Sequence, residues 1–232
     1  MSEPLQQNYT RYTVDGRTGW LINQHLSFGD YYTGKVDRSW TKGPSFEYSI
    51  FNLVYDRYEK RKQTFQFNMH DLNGNKSQVY ALSQVDMKDL GLGANPVSPV
   101  NILMDMAGWG DAYSNVFAAS IFINDEAQPY EVFLDNDAAH RRNTGYYGFA
   151  GRGPDDYYKI MPVNTISMNG KTGNALGTVG FELRNPEGVA VAAVNMMDKG
   201  IVYMGKTDAR EQFLLANIIS AMLLQENLDA TL

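Results

Sequence analysis

Apolar and polar residues alternate with period two over much of this chain. Phe65, Phe67 and Met69 alternate with Thr64, Gln66, Asn68 and His70, which predicts a strand with one dry and one wet face. Val179, Phe181 and Leu183 alternate with Thr178, Glu182 and Arg184 in the same way. Segments 116–123 and 189–194 are apolar on both faces and predict strands buried on both sides. Turn residues separate these runs. Asn73-Gly74 and Asn169-Gly170 suit two-residue type I′ turns, which need positive φ. Asn185-Pro186-Glu187-Gly188 and Asp198-Lys199-Gly200 are further reversals.

The pattern predicts about twelve strands, drawn from segments 10–14, 18–26, 31–40, 46–58, 62–71, 77–85, 99–106, 115–124, 129–135, 157–168, 177–184, 189–196 and 200–204. Sequential hairpins imply an antiparallel, meandering sheet. Neither a linker nor an internal repeat divides the chain. The expected organisation is an N-terminal arm over 1–9 and one domain over 10–232.

One strong helix is expected, over about 207–226. Asp208 and Glu211 have capping-box spacing, and residues 213–224 follow with no charge on any face. At 100° per residue Leu214, Leu215, Ile218, Ile219, Met222 and Leu223 fill a half-circle, while Phe213 and Leu224 lie opposite beside Asn217 and Ser220. A helix resting on an open sheet needs an apolar stripe of only about 100°. This one should be buried nearly all round. A closed barrel threaded by the helix would do that, since twelve residues rise about 18 Å. A docked helix covered by a loop or a dimer partner is the other solution. The expected fold class is mainly β: an antiparallel closed barrel of about twelve strands with the C-terminal helix buried in or against it.

The hairpin Phe181–Val191, the short strand Gly200–Met204 and the apolar terminal helix together resemble the end of the tubby-like barrel superfamily, which includes phospholipid-scramblase-like proteins. The resemblance covers about the last 55 residues and is one of pattern, without an invariant motif. It implies a closed antiparallel barrel around a hydrophobic central helix, and a lipid- or phosphoinositide-binding role. The net negative charge weighs against the lipid role.

Composition narrows the chemistry. In 232 residues 44% are apolar, enough for a core and too many for a disordered tail. With no cysteine there is no disulfide, thiolate metal site or cysteine nucleophile. A net charge of −6 argues against a general nucleic-acid binder. The start has neither a basic nor an apolar leader region, which fits a cytoplasmic protein or one whose signal has been removed. With 15 Tyr and 21 Gly against 20 Lys+Arg, the composition leans towards an exported bacterial envelope protein, periplasmic or on the cell surface, such as a lipoprotein. The densest apolar window, 213–224, is too short to span a membrane, which takes about 20 residues.

Candidate chemistry gathers in the segment Asp135 to Asp156, read as a long irregular loop and so as functional or as a self-packed cover for a barrel mouth. His140, Arg141, Arg142, Tyr146, Tyr147, Phe149, Arg152, Asp155 and Asp156 offer stacking faces, planar guanidinium forks and acids. They suit a glycan, an anionic small ligand or a protein partner. A second cluster, Arg57, Lys60, Arg61 and Lys62, reads as a solvated hairpin tip or a knob for an anionic surface, with peripheral membrane contact as its corollary. A hydrolase or lyase would draw on Asp135, Asp137, Asp155 and Asp156 with His140. His25 and His70 read as surface histidines, and Asp71–Asn75 as a turn in preference to a calcium loop, because Lys76 and Leu82 stand where an EF-hand needs glycine and an acid. No catalytic residue, metal or cofactor is assigned. The favoured function is a non-catalytic binding or structural domain.

Overall fold

A computed structural model describes residues 8–17, 23–39, 63–85, 115–140, 147–168, 171–175 and 177–225. The strands are β1 (Tyr9–Thr13), β2 (Ser27–Phe28), β3 (Tyr31–Thr33), β4 (Asp37–Ser39), β5 (Gln63–Asp71), β6 (Lys76–Val85), β7 (Val116–Ile123), β8 (Tyr130–Asp135), β9 (Gly148–Gly153), β10 (Asp156–Val163), β11 (Thr165–Met168), β12 (Lys171–Asn174), β13 (Gly180–Arg184), β14 (Ala190–Asn195) and β15 (Ile201–Gly205). Two helices are described, α1 (Asn136–His140) and α2 (Ala209–Leu224).

Twelve strands form one antiparallel path, β1-β15-β14-β13-β10-β9-β8-β7-β6-β5-β3-β2, with β4 also on β5; β11 and β12 pair separately. The two ends of the path meet at Asp15 and Ser27, whose backbones exchange hydrogen bonds of 2.9 and 3.0 Å. One bridge thus nearly closes the sheet into a barrel. Gly16 beside it has φ +81°, and a β-carbon there would stand 1.7 Å from the His25 carbonyl oxygen. Only glycine fits that corner.

The helix fills this ring. Phe213 packs on Tyr31 of β3, Ser220 on Met69 of β5, Asn217 on Ser77 of β6, and Glu211 on Tyr158 of β10. Leu223 lies against Gly200, just ahead of β15. These contacts come from well-separated arcs of the ring, and every residue from Phe213 to Leu224 is buried. The missing charge over residues 213–224 has its cause here: no face of that stretch of α2 meets water. Asp208 caps the N-terminus by accepting from the Glu211 N–H at 2.8 Å. At the other end the Leu223 and Leu224 carbonyls accept from Arg17 Nε at 3.2 Å and Arg38 Nη2 at 2.9 Å. Two cations thereby satisfy orphan carbonyls at the negative pole of the helix.

Several boundaries differ from expectation. Segment 31–40 is two strands, β3 and β4, because the chain turns aside at Gly34 to Val36 and the Val36 N–H bonds to the Gln24 carbonyl. Segment 157–168 divides at Asn164, where the chain leaves the ring to form the β11–β12 hairpin. Tyr9, placed in the arm, pairs with Gly205 as the first residue of β1. Asn73-Gly74 is not a type I′ turn. Only Gly74 takes positive φ (+85°), and its N–H closes a three-residue loop on the Asp71 carbonyl. The described part of segment 18–26, residues 23–26, contains no strand. Segments 46–58 and 99–106 and the Asn169-Gly170 turn lie outside the described residues.

The largest correction concerns Asp135 to Asp156. Its described residues, 135–140 and 147–156, are not an irregular loop. Its ends form α1 and β9, and β9 pairs with both β8 and β10 in the barrel wall. The run of Gly148, Gly151 and Gly153 hid the strand, since glycine is unfavourable in strands on propensity alone. Here two of those glycines admit close neighbours: a β-carbon on Gly148 would meet the Phe133 carbonyl at 2.6 Å, and one on Gly151 would meet Tyr157 at 2.5 Å.

Candidate functional site

Antiparallel order brings the β7–β8 and β9–β10 turns and the start of α2 to one end of the barrel. Arg152 on β9 bonds Glu126 of the β7–β8 turn at 2.6 Å and Asp156 on β10 at 2.7 Å. Its guanidinium lies 4.5 Å from the centroid of the Tyr130 ring, and the Tyr130 hydroxyl donates to Asp156 at 3.1 Å. Arg210, in the first turn of α2, holds the other Glu126 oxygen at 2.6 Å. The Arg210 hydrogen bond, opposed by partial burial and reinforced by Arg152, keeps the Glu126 carboxyl below its usual range. Bonds to Glu126 and Tyr130 raise Arg210 in turn. Nearby, the Tyr158 hydroxyl donates to Glu211 at 2.9 Å, and burial drives that phenol far above its ordinary value. The network ties two hairpins to the helix N-terminus, and its charges are spent on one another.

Arg152 and Asp156 therefore belong to a brace between hairpins and helix. Phe149, read as a stacking face, is buried against Phe133, with ring centroids 5.2 Å apart. Tyr147 carries the Lys159 ammonium 5.0 Å above its ring. Asp155 is exposed in the β9–β10 turn. His140 is exposed at the end of α1, at the other end of β9, some 20 Å away by strand length. Asp135 caps α1 by accepting from the Ala138 N–H, and Asp137 accepts from Asn115. The acids of the hydrolase reading are thus split between two ends of the barrel. Arg141, Arg142 and Tyr146 lie outside the described residues, as do Arg57, Lys60, Arg61 and Lys62. Asp71 is committed to its turn, accepting from the Asn73 and Asn75 N–H groups and the Asn75 side chain.

A different region of the surface is open. A cleft of about 550 Å³ runs over the outward faces of β5, β6 and β7, within the size range of small-molecule sites. Asn68 and His70 line it from β5, Lys76 and Gln78 from β6, Phe122 from β7, and Asp125 and Glu126 from the following turn. A smaller hollow of about 80 Å³ shares Asn68 and Gln78 and extends past Gln66 to Lys35 and Asp37. Register fixes the layout: Asn68 is opposite Gln78, His70 opposite Lys76, and Gln78 opposite Phe122. Among the described residues the side-chain amides of Gln66, Asn68 and Gln78 have no hydrogen-bond partner; Asn68 and Gln78 are exposed and Gln66 is half-buried. Tyr32, 45% exposed, stacks on His70 at 5.8 Å. Phe122 is braced edge-on by Tyr80 at 6.2 Å. Lys76 pairs with Asp125 at 2.7 Å, and Lys35 with Asp37 at 3.3 Å.

This cleft was absent from the sequence candidates, although its signal was present in the wet positions 66, 68 and 70. Those positions carry amides and an imidazole in place of the lysines and glutamates usual on an exposed strand. Among the described residues no cluster of three or more acids or histidines is arranged to hold a metal, and no helix is long and apolar enough to cross a membrane. Comparison with protein-family models, curated proteins and solved structures returns no match.

Proposed function

We propose that the protein is a non-catalytic binding domain that engages its ligand on the outside of the barrel, over β5, β6 and β7. The observation that carries this reading is the position of α2. Every residue of it from Phe213 to Leu224 is buried, so among the described residues the inside of the ring is taken by the protein's own side chains and a ligand is met on an outer face. The acids of the outer cleft are poor candidates for proton transfer, because Glu126 is held ionised by Arg210 and Arg152 and Asp125 is paired with Lys76. The tubby-like resemblance is retained as a proposal about architecture. An exported, envelope-associated setting is part of the same proposal and rests on composition.

The test uses amide NMR spectra of the labelled protein with three probes of different chemistry: a neutral hexasaccharide, inositol hexakisphosphate and a glutamate hexapeptide. At least one probe is expected to shift Asn68, His70, Gln78 and Phe122 in a saturable way and to be recovered intact by mass spectrometry. Shifts confined to other regions, or a consumed probe, overturn the reading.

A further inference from the structure

We infer that the cleft over β5–β7 binds a short, uncharged oligosaccharide, laid across Asn68 and Gln78 between the Tyr32–His70 stack and Phe122. The inference rests on the binding-domain reading and supplies its ligand class. Three features of the cleft lead to it.

The floor is a grid of amides. Asn68 and Gln78 are cross-strand partners, which puts their β-carbons about 5 Å apart. Gln66 is two residues along the same face of β5, about 7 Å away. A primary amide offers two N–H donors and two carbonyl lone pairs. Adjacent sugar hydroxyls, each both donor and acceptor, match that inventory. Because these amides have no partner among the described residues, a polyol exchanges with water here without breaking a described hydrogen bond.

The rims are aromatic. Tyr32 and His70 make a near-parallel stack, with an interplanar angle of 28°, beside the amides on the β3 side. Phe122 stands on the β7 side, held by Tyr80. Flat apolar rings suit the C–H faces of pyranoses, which are apolar on the face and polar at the edge. Rigid aromatic anchors also limit the entropy lost on binding.

Electrostatics and topology exclude the alternatives. Every described charge lining the cleft already has an opposite partner: Lys76 with Asp125, and Glu126 with Arg152 and Arg210. No unpaired cation among the described lining residues awaits a phosphate or an acidic sugar. An extended peptide would need a sheet edge, but β6 is bonded to β5 and β7 on either side, so its backbone groups are taken.

The test is a titration of the whole chain with neutral gluco-, manno-, galacto- and xylo-oligosaccharides, read by amide NMR and calorimetry. Polygalacturonate and the glutamate hexapeptide serve as charged controls. One neutral series is expected to shift the cleft resonances saturably, with affinity unchanged between low and high salt. N68A combined with Q78A is expected to weaken it about tenfold or more, the equivalent of losing two or three hydrogen bonds. Both residues are exposed and make no side-chain bond among the described residues, so the fold survives the change, and the amide spectrum verifies it. H70A is expected to weaken binding as well, by removing the platform under Tyr32. If a charged control shifts the cleft and no neutral sugar does, the inference is overturned and the binding-domain reading stands. If neither neutral nor charged probes shift the cleft, both are overturned.

Discussion

Glu131 on β8 is an acid with almost no water around it. Its register partner on β7 is Ser120, whose hydroxyl donates to Glu131 Oε2 at 2.9 Å. Both are buried, and Ser120 shares its face of β7 with Phe122 of the outer cleft, two residues along the strand. Burial raises the carboxyl from an ordinary 4.5 to about 8, and the Ser120 bond offsets only part of that shift. In the unfolded chain the same group ionises near its ordinary value. Between the two values the unfolded state has therefore lost a proton that the folded state keeps, so stability falls as pH rises. At about 1.4 kcal/mol per pH unit, the loss from this residue is on the order of 3 kcal/mol at pH 7 and about 5 kcal/mol once pH exceeds the folded value. Glu131→Gln removes the titration and keeps an acceptor for Ser120. Its new N–H donors carry their own burial penalty of about 1–3 kcal/mol, so the slope is more informative than any single stability. Urea denaturation of both proteins from pH 5 to pH 9 measures it. The wild type is expected to lose stability relative to E131Q at about 1.4 kcal/mol per unit up to pH 8 and to run parallel beyond it. Parallel curves across the whole range would refute the reasoning.

Two further substitutions probe the ring and its filling. Gly16→Ala places a methyl 1.7 Å from the His25 carbonyl oxygen at a positive φ, beside the closing bridge. It is expected to lower thermal stability by more than 3 kcal/mol, whereas Gly74→Ala, at similar φ in open space, should cost only about 1–2 kcal/mol. Calorimetric melts of the pair separate the clash from the backbone term. Asn217→Leu leaves Ser77 Oγ without its acceptor inside the barrel and is expected to cost about 1–3 kcal/mol by guanidinium denaturation. Combining it with Ser77→Ala should restore much of that loss, and a fully additive pair would contradict the assigned contact.

The sequence determined the elements whose chemistry is local. Period-two alternation marked β5 and β13, apolar runs on both faces marked β7 and β14, and the terminal helix with its Asp208 cap was legible because a run with no charge on any face has only one comfortable environment. From that helix alone followed the expectation of a structure able to surround it. The tertiary structure decided the rest. β9 was hidden because its glycines are chosen for close contacts with Phe133 and Tyr157, neighbours that no local pattern names. Arg152 and Asp156 looked available in one dimension and are consumed in three by Glu126, Tyr130 and the helix N-terminus, all distant in sequence except each other. Phe149, an apparent ligand platform, is a wall residue for the same reason. Conversely, Gln66, Asn68 and His70 were visible as wet positions from the start. Which strand lies beside which is set by pairing register, and register turned those separate wet positions into one amide-floored cleft between aromatic rims.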